Sequence, residues 1–229
     1  MKKRRWKRTL LPCLAALLLL LCLAAAGCHK DDPKEAWNGL RQGMEDRDAA
    51  KVAQYMDMDA LLKDAYDDSS RELASSVEDL ALRYPEDPFF KHTPEFMKEY
   101  MAEHRSFGLK LASDALLGFL SGRKPAASFE EQPGSWLSGE FAKLYAATTA
   151  ELKDIRHEKN DSGRHRAVAV VHLKGDGSAY GNFVDGLELE LAMEQQEDGS
   201  WKFTRIGNIP SLLLPVTDRA EVYWLMQGW

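Results

Sequence analysis

The chain has 229 residues and a formal net charge of −6, but its first 27 residues differ in composition from all that follow. This segment holds six of the 30 basic residues and no acidic one, so the remaining 202 residues carry a net charge of −12. The last cysteine is Cys28, which excludes a disulfide-stapled fold and a cysteine-ligated zinc site in the body of the chain. The acidic body also argues against a nucleic-acid-binding protein.

The amino-terminal segment has the layout of an export signal, in which a basic block precedes an apolar stretch. Residues 1–8 carry the six basic side chains, and residues 9–27 are uncharged and rich in leucine and alanine. The stretch ends in Ala26-Gly27-Cys28, which resembles the lipobox of bacterial lipoproteins. In that family the signal peptide is cut just before the cysteine, and the cysteine thiol is acylated. The resemblance implies cleavage between Gly27 and Cys28 and a lipid on Cys28.

An uncleaved membrane helix is the alternative, because residues 9–27 are just long enough to span a bilayer core of about 30 Å. Pro12 and the small residues before Cys28 favour a processed signal. Both interpretations place residues 29–229 on the outer side of the cytoplasmic membrane, tethered at their amino terminus. A multiply acylated cysteine would provide stable anchoring. The sequence leaves open whether the membrane is an inner or an outer one.

After a short tether of residues 28–33, residues 34–229 are predicted to form a single domain. Asp48 and Thr93 each stand where an N-cap is needed, directly before apolar residues at helical spacing. Helical periodicity predicts helices over residues 33–46, 49–56, 60–82, from Thr93, within 107–120, over 136–152 and over 217–226.

The periodicity changes to that of strands after about Ile155. Residues 167–173 are rich in β-branched side chains, and residues 187–194 alternate strictly between apolar and mostly acidic ones. Residues 197–200 predict a tight hairpin turn into a strand over residues 201–206. Helices followed by an antiparallel meander predict an α+β fold, with the N-terminal helices packed on a C-terminal antiparallel sheet.

Two segments of the body resemble known families. Residues 37–63, which include the helix start at Asp48, resemble the beginning of the bacterial domain group DUF2939, whose members often follow a signal or transmembrane segment. The hairpin over residues 197–206 resembles the last strands of NTF2-like α+β domains. This likeness implies helices laid across a curved sheet with a conical cavity. Together the resemblances imply an envelope location and contact with a small molecule or a protein, and they transfer no set of catalytic residues.

Aromatic side chains concentrate where the predicted helices should meet the sheet. If the fold is NTF2-like, some of them would line its cavity and contact a ligand; the alternative is that they are ordinary core residues. The candidate cavity or ligand-contact residues are Trp136, Tyr145, Tyr180, Phe183 and Trp201.

The C-terminal segment 223–229 is unusually apolar and aromatic for a chain end. It would either pack on the sheet or offer an edge to a partner protein. We expect packing, because large exposed apolar patches are uncommon on soluble domains.

The carboxylates form their densest cluster where the third predicted helix begins. A calcium loop would need oxygen ligands at alternating positions, a central glycine and a closing glutamate, but apolar residues take the ligand positions here. We interpret the cluster as helix caps and a solvated helix face. Its members are Asp57, Asp59, Asp64, Asp67 and Asp68.

Other chemical motifs are incomplete. The six histidines include no pair with the i, i+4 spacing of a helical zinc site. His157 and His165 would approach each other across a hairpin, but a third ligand is missing. The glycine-rich segment 174–181 is followed by a strand rather than by the helix of a phosphate-binding loop. We expect no metal, no cofactor and no catalytic residue set.

The sequence thus predicts a lipid-anchored envelope protein that is not an enzyme and binds a small apolar ligand or an envelope protein, with no nucleic-acid partner. The alternative is an enzyme that acts on envelope material through a carboxylate and a histidine in the sheet cavity. A third hypothesis is a pure assembly partner, for which an exposed aromatic tail would be the sign. A histidine and a carboxylate buried in one pocket would favour the enzyme.

Overall fold

The computed structural model describes residues 32–159 and 165–226. The predicted leader, the cleavage site at Gly27 and Cys28, and the last three residues lie outside the described residues. The described helices are α1 (Pro33–Glu45), α2 (Ala49–Tyr55), α3 (Met58–Arg83), α4 (Pro94–Glu103), α5 (Arg105–Leu120), α6 (Pro133–Ala146) and α7 (Ile209–Met226). The described strands are β1 (Thr148–Lys159), β2 (His165–Gly175), β3 (Glu188–Gln195) and β4 (Trp201–Ile206).

Short polar side chains begin the N-terminal helices. Asp48 accepts a hydrogen bond from the backbone N–H of Lys51 at 3.0 Å, which confirms it as the N-cap of α2. Asp57 caps α3 in the same way, and the Thr93 hydroxyl accepts from the N–H of Phe96 at the start of α4. Each cap satisfies one of the backbone donors that a helix start leaves unpaired.

The four strands form one curved antiparallel sheet in the order β1-β2-β3-β4. Alternate residues of the strands face the helices and are fully buried; on β2 these include Ala169 and Val171. The predicted α+β class, with the helices mostly before the sheet in the chain, is confirmed. The finer resemblance to NTF2-like domains stays a prediction.

The helices cover the sheet on the side of β4. Trp37 of α1 packs edge-on against Phe203 of β4, with ring centroids 6.4 Å apart. Met56 forms a parallel bridge with Phe203, and the N–H of Asp57 donates to the Phe203 carbonyl at 2.9 Å. The long helix α3 contacts β4 as well as α4, α5 and α7, so it joins the sheet to the other helices.

Two predicted boundaries were wrong. The helix predicted over residues 136–152 ends at Ala146, and the chain is a strand from Thr148. There the β-branched Thr148 and Thr149 pair with the end of β2. The terminal helix begins at Ile209 rather than at Thr217, because its buried apolar face outweighs the hydrogen bond that Pro215 removes.

Candidate functional site

A row of four stacked rings runs along one side of α4. Phe96 and Tyr100 lie one turn apart on the same face of α4, and His92 and His104 continue the four-residue spacing just outside its two ends. The ring centroids of His92 and Phe96 are 4.0 Å apart, those of Phe96 and Tyr100 are 6.0 Å apart, and those of Tyr100 and His104 are 4.1 Å apart. Interplanar angles of 19–24° show that all three pairs are stacked. We call these four residues the aromatic row.

The aromatic row is accessible to solvent. Phe96 is 40% exposed, His92 is also exposed, and Tyr100 and His104 are half-buried. A phenylalanine ring in the middle of the core would contribute to stability, whereas a stacked and exposed one leaves its apolar edge in water. The row therefore has the composition of a protein contact surface, in which aromatic rings combine an apolar body with rigid geometry.

The opposite side of α4 holds the helix in place. Met97 and Met101 are buried in the core, and the Tyr66 hydroxyl of α3 donates a buried hydrogen bond to the Met101 carbonyl at 2.8 Å. Just beyond the helix, Arg105 makes two hydrogen bonds of 2.7 and 2.8 Å to the Asp67 carboxylate. A surface presented on a helix that is fixed in this way is more preorganised than one on a loop.

A second row on α4 is acidic. Glu95, Glu99 and Glu103 each precede a member of the aromatic row and are exposed. None of the three side chains makes an ion pair or a hydrogen bond with any residue in the described part of the chain. Stacking turns the ring faces toward one another, so the carboxylates of the acidic row are what attracts lysine or arginine side chains to this surface, and the ring edges add apolar contact area.

The predicted cavity residues lie in several separate contacts. Tyr180 and Phe183 come together, with ring centroids 5.7 Å apart, and both pack against Tyr223 of α7. Trp136 packs edge-on against Phe129, and Tyr145 packs against Phe119. Among the described residues, these rings therefore contribute to several packing contacts rather than to one shared contact.

Trp201, the fifth candidate, lies on β4 and is buried. Its ring meets that of His157 edge-on, with the centroids 6.4 Å apart. The indole N–H of Trp201 is buried and has no hydrogen-bond partner among the described residues. His157 pairs with Ala167 across the hairpin, and His165 pairs with Lys159.

The hydroxyl end of Tyr180 also makes contacts. Its hydroxyl donates a hydrogen bond to Glu140 of α6, and the Lys143 ammonium lies 5.4 Å from the centre of its ring. Burial, reinforced by the bond to Glu140, raises the pKa of Tyr180. Tyr223, in contact with Tyr180, belongs to the C-terminal segment that we expected to pack; residues 227–229 lie outside the described residues.

A surface groove of about 600 Å³ lies where the end of α5 meets the start of α6. None of the five candidate residues lines it. Its walls carry charges of both signs, including Asp114, Arg123, Lys124 and Glu131.

The carboxylate cluster is not only a solvated helix face, and that part of the interpretation was wrong. Asp57 is a cap and Asp59 is exposed, as expected, but Asp68 is only 5% exposed. Arg205 of β4 and Arg71 both donate to the Asp68 carboxylate. Within residues 32–159 and 165–226, no group of three acidic, histidine or cysteine side chains could hold a metal ion.

Comparison of the chain with protein-family models, with curated proteins and with solved structures gives no match. In the described ranges, no helix combines the length and the apolar character needed to cross a membrane.

The aromatic row was missed in the sequence, although its signal is present there. Ring side chains recur at positions 92, 96, 100 and 104, and glutamates recur at 95, 99 and 103. Two parallel i, i+4 series of different chemistry on one helix indicate two distinct faces. What the sequence does not show is that the ring series lies at the surface while Met97 and Met101 take the core side.

Proposed function

We propose that this chain is a lipid-anchored protein of the bacterial envelope whose domain is a non-catalytic binding module for another envelope protein. The observation that carries the binding role is the exposed aromatic row of α4. The anchor is supported by the leader and by the lipobox-like sequence that ends at Cys28. A tethered domain of this kind meets its partners at the membrane surface, with α4 available for contact.

The chemistry of α4 specifies a basic partner segment. The rings of the row face one another in the stack, so they offer apolar edges, and the carboxylates beside them are the groups that attract lysine or arginine. The unpaired Glu95 and Glu99 add charge attraction next to Phe96. A segment with two basic residues one helical turn apart would place one cation beside each of these two carboxylates.

The net charge of the domain also favours a protein partner over the membrane surface. The 202 residues from Cys28 onward carry a net charge of −12. Anionic lipid headgroups repel such a domain, since binding to them requires clusters of lysine and arginine. The lipid on Cys28 would hold the domain near the bilayer without giving the aromatic row an affinity for headgroups.

The experiment is site-specific photo-cross-linking in the native envelope. A photoreactive amino acid replaces Phe96 in the full-length chain, and a matched control replaces Leu82, which is 83% exposed on α3. We expect position 96 to capture a defined protein and position 82 not to capture it. Mass spectrometry should locate the cross-link in a segment that contains lysine or arginine.

Charge reversal tests whether that capture depends on α4. Glu95→Lys and Glu99→Lys together should abolish the cross-link from position 96, while Glu78→Lys, an exposed substitution on α3, should leave it unchanged. Equal capture at positions 96 and 82, or capture that survives the reversal, would overturn the proposal.

A further inference from the structure

The strand β1 forms one edge of the sheet. The sheet order places β1 and β4 at the two ends, and the chain around Met56 covers β4. Of the 12 residues of β1, all but Lys153 pair with β2 on one side, and no described strand pairs with the other side. An unpaired edge of this length is a template for another strand.

A bulge at Lys153 changes which side chains of β1 share a face. Leu152 pairs with Val171 and Asp154 pairs with Val170, so Lys153 is an extra residue. Leu152 and Ile155 consequently both face the core, opposite Val171 and Ala169. Glu151 and Arg156 both lie on the other face, although residues five positions apart in a regular strand point to opposite faces.

With the bulge included, β1 is complementary to a second, antiparallel copy of itself. If Asp154 is placed opposite Asp154 of the second copy, Leu152 comes opposite Ile155 on the core face. In the same register Glu151 comes opposite Arg156 on the outer face, and the two-fold axis repeats both pairs. We infer that β1 pairs edge to edge with β1 of a second copy of this chain, which joins two four-stranded sheets into one.

The contacts that these charged side chains already make leave room for the pairing. Arg156 donates to Glu190 of β3, and its guanidinium carries further N–H donors for a carboxylate of a second copy. Asp154 accepts a hydrogen bond from the N–H of Ile155 at 2.8 Å, which directs its carboxylate along its own strand. Lys153 of the bulge donates to Glu151 of its own strand at 2.9 Å, and its ammonium keeps further N–H donors for the Asp154 carboxylates beside the two-fold axis.

The same charges explain why the edge accepts this partner rather than any strand. Charged residues and bulges on an edge strand normally prevent pairing with foreign strands. Shifting the second copy by two ladder positions would bring Glu151 opposite Asp154 in one direction and opposite Glu158 in the other. The pattern therefore favours the register in which Glu151 meets Arg156 of the second copy.

The oligomeric state of the full-length protein in detergent tests the pairing, measured by sedimentation velocity over a range of concentrations. We expect a dimer that Glu151→Arg or Arg156→Glu weakens on the order of tenfold, since each substitution places like charges opposite each other twice. The double variant exchanges the two charges and should restore the dimer. A monomeric wild type, or a double variant no better than either single one, would overturn the inference.

Disulfide cross-linking tests the register. Residues directly opposite in an antiparallel pair have Cα atoms about 4.5–5.5 Å apart, which suits a disulfide bond. Asp154→Cys should therefore cross-link to itself. Glu151→Cys should not cross-link to itself, because the two copies of position 151 are four ladder positions and about 13 Å apart along the strand. In a mixture of the two variants, Glu151→Cys should cross-link to Arg156→Cys. A dimer without the Asp154→Cys cross-link uses another surface and contradicts the inference.

Discussion

Arg205 of β4 donates a 2.8 Å hydrogen bond to the buried carboxylate of Asp68 on α3. The two residues are 137 positions apart in the chain, and their contact joins the longest helix to the last strand of the sheet. A buried carboxylate needs such a partner, because an unpaired charge in the interior is strongly disfavoured. The carboxylates of α3 therefore help to dock the helices on the sheet.

Asp68 and Asp64 should respond differently to loss of charge. Asp68→Asn removes the charge that receives hydrogen bonds from Arg205 and Arg71, and we expect the free energy of unfolding to fall by about 2 kcal/mol. Burial raises the pKa of Asp64 although Arg205 lies 2.7 Å from its carboxylate and acts to lower it, so ionisation of Asp64 at neutral pH costs the folded state free energy. Asp64→Asn should therefore leave the free energy of unfolding unchanged or slightly higher.

Urea unfolding at pH 7 checks both substitutions on α3. Asp59→Asn serves as the control, because Asp59 is exposed near the start of the same helix. Equal losses of stability in Asp68→Asn and Asp64→Asn would contradict the roles assigned to the two carboxylates.

Acid should weaken the link between Asp67 and Arg105. The hydrogen bonds from Arg105 lower the pKa of Asp67, so the folded state binds this proton less tightly than the unfolded state does. The stabilisation is present above the unfolded pKa of about 3.9 and is lost as the pH falls through the lower folded pKa. Arg105→Gln should lower the thermal stability at pH 7 and flatten its decline below about pH 4.

Thermal unfolding followed from pH 7 to pH 2.5 provides the measurement. Lys110→Gln is the matched control, since Lys110 pairs with Asp114 on the surface of α5. If Arg105→Gln and Lys110→Gln gave the same pH dependence, the Asp67–Arg105 contact would have no special part in acid unfolding.

Gly175 is required by the close approach of two backbone segments. A Cβ atom at this position would lie 2.4 Å from the carbonyl oxygen of Gly181, and a backbone atom cannot move aside as a flexible side chain can. We expect Gly175→Ala to lower the free energy of unfolding by about 1–3 kcal/mol through overpacking. A Cβ atom at Gly207 would lie 3.6 Å from its nearest neighbour, an ordinary contact distance. Gly207→Ala should therefore change the free energy of unfolding by less than about 0.5 kcal/mol. Denaturant unfolding of both variants would show whether backbone proximity sets the difference.

The proposed lipid can be tested at a single atom, the sulfur of Cys28. Cells that express the wild-type chain and receive a palmitate analogue should label the protein, and Cys28→Ala should abolish the label. Cys22→Ala should retain it, because Cys22 belongs to the segment that cleavage would remove. Label in Cys28→Ala at the wild-type level, with the protein still in the membrane fraction, would exclude Cys28 as the acylated residue.

Local signals in the sequence were sufficient for much of the fold. Asp48 and Thr93 form the expected caps, because a capping side chain bonds to a backbone donor only two or three residues away. The alternation of residues 187–194 predicted β3 with one buried face, since the side-chain period of a strand is local as well. The order of helices and strands then determined the α+β class.

The tertiary structure decided what depends on distant contacts. Thr148 begins a strand because β2 offers it a partner, and α7 tolerates Pro215 because its apolar face is buried. Asp68 is buried because α3 packs on β4, where Arg205 meets it. The sequence contained the ring series on α4, but only packing decided that Met97 faces the core while Phe96 meets solvent. Burial is set by neighbours far along the chain, so periodicity shows that a helix has faces and tertiary contacts decide which of them is free.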